Sequence, residues 1–310
     1  MHLCWKILYI IYLMSWFYKK ETLIRTISFM AFFVAINVVC SFLTTVLPLV
    51  SIILIIFLPL TSAIVEAMCK DRWFPIYAFA TIGLSIVVSL SSIDFTIFYI
   101  VPSIFTGYIF GLCSKRNLPS MFAIFFATVI QTLLSFAFIP LLQLITGTNL
   151  IDVFVKILKI SDTFLFNSLL LLIFFIVALI QIILSFIVVQ NELNKFGQKV
   201  EFKYNQERIA SFSALGSAIL CAIFSLFYMP SCYLFVGISY YFAVFVVIFE
   251  IQSKNKIGLI IDGCSLLIGI VLYAALNQFF VNSSDFALFA ITPALISVAS
   301  ISLSFLKKSE

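Results

Sequence analysis

The sequence predicts an all-α fold: a polytopic transmembrane helix bundle of about ten spans. Three observations predict it. Of the 310 residues, 64% are hydrophobic and 10% are charged, where an average soluble domain carries roughly a quarter charged residues. A globule of that length has too little interior to hide so much apolar surface. The apolar residues also come in continuous runs instead of alternating, which fits helices crossing a bilayer and does not fit the strands of a lipid-facing barrel. Finally, Lys and Arg gather between every second pair of runs, as they do in cytoplasmic loops. These features exclude a soluble enzyme. An aromatic content of 17% and the lack of a glycine period exclude a disordered or collagenous chain. Spans of about 20 residues fill the length and leave no room for a nucleotide-hydrolysing domain.

The first 22 residues stand apart. Residues 3–18 are apolar except for Lys6 and Ser15 and end at Lys19-Lys20. They lack a small-x-small cleavage site and fall short of a full span, so segment 1–22 reads as an interfacial helix or uncleaved anchor. Ten spans follow, over 23–47, 49–67, 74–90, 95–113, 119–146, 163–190, 208–229, 231–251, 257–280 and 286–306. Lys19, Lys20 and Arg25 precede the first span. Lys70 and Arg72 follow the second, Lys115 and Arg116 the fourth, and Lys195, Lys199, Lys203 and Arg208 the sixth. Lys254 and Lys256 follow the eighth span, and Lys307 and Lys308 the tenth; Lys156 and Lys159 are the exceptions on the other side. The basic side is read as cytoplasmic, with both ends of the ten-span unit inside.

The polar stretch 191–207 is a basic cytoplasmic linker. It separates a six-span bundle, 23–190, from a four-span bundle, 208–310. Segment 147–162 puts Asp152, Lys156 and Lys159 on one helical face and Val153, Phe154, Ile157 and Leu158 opposite. It reads as a helix lying in the outer interface plane.

The net charge of +5 follows from cytoplasmic loop clusters and implies no nucleic-acid partner. The seven Cys share no paired spacing, and the one His is His2. Neither a metal site nor a disulfide framework is expected; buried Cys acting as small apolar residues is the default reading. No cofactor is expected. There is no Gly-x-Ser-x-Gly, His-Glu-x-x-His or phosphate loop, so the chain reads as non-enzymatic.

In the first span Ser28, Ala31 and Ala35 share one face, and Asn37, Ser41 and Thr44 another. Small residues at four-residue spacing let a second helix approach closely. Gly107 and Gly111 form a Gly-x-x-x-Gly pair in the fourth span, read chiefly as packing within the chain. Thr128, Gln131 and Ser135 share a face of the fifth span, while Asn167, Gln181 and Ser185 lie in the sixth. Polar residues in spans point to a pathway or ligand pocket, here between helices one, five and six, or serve as interhelical glue. Glu66 and Glu250 lie beside Lys70 and Lys254 at helical spacing and read as terminal ion pairs. Asp94 and Asp285 sit near outer ends. Asp262 lies about 9 Å into its span from Lys256 at 1.5 Å per residue, either an intramembrane ion or proton site or a partner of Lys256 or water. The first and sixth spans hold no internal Gly or Pro, unlike the broken helices of inverted-repeat carriers.

The run Met30-Ala-Phe-Phe-Val-Ala-Ile-Asn-Val-Val39 resembles the opening helix of the substrate-binding (S) components of energy-coupling-factor vitamin transporters. Pro59-Leu-Thr-Ser-Ala-Ile-Val-Glu-Ala67 is similar to that family's second helix, and Pro102 to Arg116 to its fourth, which ends in a basic turn. The likeness covers about residues 23–195. It implies a six-helix S-component-like unit, docking through Ala31 and Ala35 on a separate transmembrane coupling subunit with its ATPases, and a small-molecule ligand. The four further spans are a departure from ordinary S components. The whole layout resembles the YybS-type family of bacterial multi-pass membrane proteins, which implies the bacterial inner membrane. Two other readings stay open on the residues alone: a membrane scaffold or assembly protein without a ligand, and a self-sufficient secondary carrier.

Overall fold

A computed structural model describes residues 23–47, 50–89, 93–147, 163–196, 206–225, 229–279 and 289–306. Segment 1–22, the stretch 148–162, most of the 191–207 linker and Asp285 lie outside the described residues. The described residues are helical and contain no strand. We number the main helices α1 (Leu23–Val46), α2 (Val50–Met68), α3 (Phe74–Val88), α4 (Val101–Lys115), α5 (Ser120–Thr146), α6 (Thr163–Lys195), α7 (Glu207–Ser225), α8 (Met229–Gln252), α9 (Lys256–Phe279) and α10 (Ile291–Leu306). Seven of them, α1 and α4 to α9, are long and apolar enough to cross a membrane, α4 together with its lead-in. The apolar stretches in α2 and α10 are shorter.

Local chemistry explains where the helices start and stop. Pro75 sits in the first turn of α3 and Pro102 in that of α4, where a missing N–H is tolerated. The sequence reads 95–113 as one uniform span. The structure instead opens it with a short helix, Ile93–Phe95, and a π-helical turn, Thr96–Ile100. Pro102 offers no N–H to the carbonyl four residues back, and its ring crowds that carbonyl, so the preceding turn widens. Gly147 closes α5 at φ +70° and donates its N–H to the Gln143 carbonyl, a left-handed cap that suits glycine. Helix α6 runs past the expected 190 to Lys195. The fully buried Leu193 and an ion pair between Glu192 and Lys195 (2.7 Å) hold its last turn.

Packing divides the chain into two compact units. One comprises 1–149 and 177–202, the other 150–176 and 203–310. The division after 202 falls inside the expected linker, while the first part of α6 groups with the second unit. In the first unit α2 lies along α4, α4 along α5, and α1 packs on α2 and α3. Its core includes Phe33, Ile64, Tyr77, Ile104 and Phe110, each at most 1% exposed. In the second unit α7 pairs closely with α8 and also packs on α10, which in turn packs on α9. Gly237 of α8 presses against Leu172 and Phe175 of α6 within that unit.

Candidate functional site

Helix α1 presents two unlike faces. Ser28, Ala31 and Ala35 are exposed, flanked by Ile24, Ile27 and Val39, which are also exposed. On the other side Phe29, Met30, Phe33, Asn37, Ser41 and Thr44 are buried. The 3.6-residue period separates the two sets, so among the described residues the small-residue stripe is exposed while the polar stripe is enclosed.

The enclosed stripe enters a hydrogen-bonded network. Asn37 Nδ2 donates to the Tyr77 hydroxyl at 2.7 Å. Thr61 Oγ1 donates to Asn37 Oδ1 at 3.0 Å. The Tyr77 hydroxyl also lies 3.2 Å from Ser62 Oγ and 3.3 Å from Thr61 Oγ1. All four residues are buried, so α1, α2 and α3 are tied together through one phenol. One turn on from Asn37 lies Ser41, whose carbonyl accepts from Thr44 Oγ1 at 2.7 Å. The Ser41 hydroxyl is fully buried and has no hydrogen-bond partner among the described residues.

A second polar group joins α4, α5 and α6. Gln131 Nε2 donates to Gln181 Oε1 at 2.6 Å, and Thr106 Oγ1 reaches Gln131 Oε1 at 3.4 Å. Ser185, one turn from Gln181, is fully buried, and its hydroxyl lacks a partner among the described residues. Thr128 is buried and donates to the Ile124 carbonyl; Ser135 is half-buried. Asn167 belongs to α6, but its side chain lies outside the described residues. The sequence expected a pocket between helices one, five and six. The structure brings Asn37 to α2 and α3, and Gln131 to α4 and α6, as two hydrogen-bonded groups.

Gly107 and Gly111 face α2. A Cβ on Gly107 would meet the Pro59 carbonyl and lie 2.5 Å from Ser62 Cβ; one on Gly111 would lie 2.6 Å from Glu66 Cβ and 2.7 Å from the Ala63 carbonyl. One turn further along α4, Lys115 reaches over the end of α2. Its Nζ donates to the Cys69 carbonyl at 2.8 Å and to Asp71 Oδ1 at 2.5 Å, and lies 3.8 Å from Glu66 Oε1. Sequence spacing set Glu66 beside Lys70, whereas the structure gives it Lys115. The reason is the glycine-lined contact, which carries α4 close enough for its terminal cation to cover a fully buried carboxyl. Asp71 lies outside the helices proposed to span. The hydrogen bond from Lys115 holds its carboxyl below the ordinary value of 3.8.

In the second unit Asp262 is 4% exposed. The carboxyls of Glu250 and Glu207 share its surroundings. Glu207 accepts from Ser300 at 3.2 Å, and Ser300 lies 3.0 Å from Ser211. The expected register of Glu250 with Lys254 breaks where α8 ends at Gln252 and Lys254 turns to φ 55°. Among the described residues no group of three His, Cys, Asp or Glu could hold a metal ion. The arrangement offers amides and hydroxyls that can hydrogen-bond a neutral group.

Sequence reasoning missed Tyr77 and Thr61 as partners of Asn37, and Lys115 as the partner of Glu66. The second had a legible signal. Small residues Ser62 and Ala63 recur opposite Gly107 and Gly111, and that register carries Glu66 to Lys115. The chain matches no protein-family model, no curated protein and no solved structure.

Proposed function

We propose that this chain is a non-enzymatic small-molecule transport component. It works like the substrate-binding subunit of an energy-coupling-factor transporter and depends on coupling and ATPase subunits on separate chains. The observation that carries the reading is the exposed small-residue stripe of α1, Ser28, Ala31 and Ala35, set back to back with an enclosed polar stripe. Small residues on an outward face let a partner helix come close enough for backbone-level van der Waals contact. Ser41 beside Asn37 on the enclosed face of α1, and Ser185 beside Gln181 on α6, offer hydroxyls with no partner among the described residues. A buried polar group without a partner costs about 1–3 kcal/mol, and a neutral polar ligand would recover that. The basic loops would face the cytoplasm of a bacterial cell, across ten spans.

The test is co-purification of the full chain with its coupling subunits. Ala31→Leu with Ala35→Leu abolishes that association and ligand uptake while the unfolding temperature stays put. If association and uptake both survive the double substitution, the reading fails. A ligand present at 100 times its Kd stabilises the folded chain by about 2.7 kcal/mol, so a thermal-shift screen of vitamins in detergent gives one specific hit. One observation favours a scaffold without a ligand instead: the Asn37 and Gln131 amides are bonded inside the chain. Silence across the whole screen, together with retained partner association, selects that reading.

A further inference from the structure

Cys221 near the end of α7 and Cys232 near the start of α8 point their sulfurs at each other across the hairpin, 3.2 Å apart. Both are fully buried. They sit in an apolar cluster with Ala218, Val236 and Ala290, walled by Phe224, Phe235 and Phe289. The two helices that carry them form the most extensive pairing of the second unit. Residues 222–231 between them contain no Lys or Arg, which puts this turn on the side away from the basic loops. That side is the oxidising one in a cell membrane.

We propose that Cys221 and Cys232 form a dithiol–disulfide pair, a modification site that closes the α7–α8 hairpin from the outer side of the membrane. Bringing the sulfurs from contact to the bonded separation of about 2.05 Å needs a movement of roughly one ångström, within reach of small χ1 adjustments. The oxidant is a protein disulfide of the thiol–disulfide oxidoreductase class. One cysteine thiolate attacks a sulfur of the oxidant's disulfide and expels the other oxidant sulfur as a thiolate. The second cysteine then attacks the mixed disulfide at its partner's sulfur. This makes the Cys221–Cys232 bond and releases the oxidant as a dithiol, which takes up the two protons the cysteines gave up. The exchange takes place while the hairpin is assembling. Packing of the cluster then buries the bond, and burial protects it from reductants.

The experiment uses the full chain in its native membrane, with thiols trapped by acid quenching and then labelled under denaturing conditions with a polyethylene-glycol maleimide. The wild type, with seven cysteines, takes two fewer labels without prior reductant than with it. Peptide mapping of the unreduced chain finds the 221 and 232 peptides linked. In Cys232→Ser the labelling becomes the same with and without reductant. Reductant present throughout heating, so that it meets the bond as the hairpin opens, lowers the unfolding temperature of the wild type and leaves that of Cys221→Ala/Cys232→Ala unchanged. Equal labelling of the wild type in both conditions, or a linkage between other cysteines, overturns the proposal. Should the variants fail to accumulate, peptide mapping of the wild type alone decides.

Discussion

At the scale of single residues, one glycine of α4 and one of α9 separate tight packing from open space. Gly111 has the Ala63 carbonyl where a Cβ would go, whereas Gly263 in α9 has nothing within 4 Å. Gly111→Ala should therefore destabilise the chain by about 1–3 kcal/mol, because backbone cannot yield as a side-chain tip can. Gly263→Ala should be neutral or stabilise by up to about 1 kcal/mol through helix propensity. Unfolding of the purified variants, followed by circular dichroism in a graded denaturing detergent, checks both signs. Tyr77→Phe removes the hydroxyl shared by Asn37, Ser62 and Thr61 and should cost about 1–3 kcal/mol. A loss of only a few tenths would mean that the amide finds a new partner inside the bundle. Asp71 gives a pH signature. Its folded value is lowered, so its contribution is present above the unfolded value of 3.8 and disappears as pH falls through the folded one. Asp71→Asn should thus be less stable than the wild type at neutral pH, and the two should converge in acid once Asp71 is protonated in the folded chain. A gap that persisted in acid would show that Asp71 acts by something other than its charge.

At the scale of helices, the stripe on α1 makes a clean prediction about folding. Ala31 and Ala35 touch no core, so their replacement by Leu leaves the melting profile of the isolated chain unchanged, within ~0.5 kcal/mol for an exposed site. Any fault then appears only with a partner present. The helices are also where the sequence was most legible. Long apolar runs predict each of the main helices to within a few residues, because bilayer thickness and the need to satisfy backbone groups leave few other solutions. Two departures have local causes. Pro102 widened the turn before α4. Leu193, with the Glu192–Lys195 pair, carried α6 into what composition alone marks as linker. The polar residues were legible as types but not as partners. Asn37, Ser41 and Thr44 announce an enclosed stripe by their spacing, yet nothing in one helix's period tells which neighbour will supply Tyr77. Cys221 and Cys232 show the same limit: an eleven-residue separation has no meaning until the hairpin brings the sulfurs together.

At the scale of the whole molecule, the charge distribution makes a topological prediction. Single cysteines placed at 117 and at 254 in a cysteine-free chain should react with a membrane-impermeant maleimide only after the cells are opened. One placed at 149 should react in intact cells. Reaction of all three in intact cells would overturn the assignment of the basic side to the cytoplasm. Lengths add a further consequence. Helix α6 has 33 residues, which at 1.5 Å per residue is roughly 50 Å, against a hydrocarbon core of about 30 Å. Helix α10 has 16 residues, or roughly 24 Å on the same rise. On the proposed ten-span topology, one lipid thickness cannot match both. A short helix thins the bilayer around it, and a long one tilts or thickens it. The protein should therefore prefer a narrow range of acyl-chain lengths, and its unfolding temperature should pass through a maximum as reconstitution moves from short-chain to long-chain lecithins. A flat profile would mean that α6 stands out of the membrane as a post, its surplus turns in water.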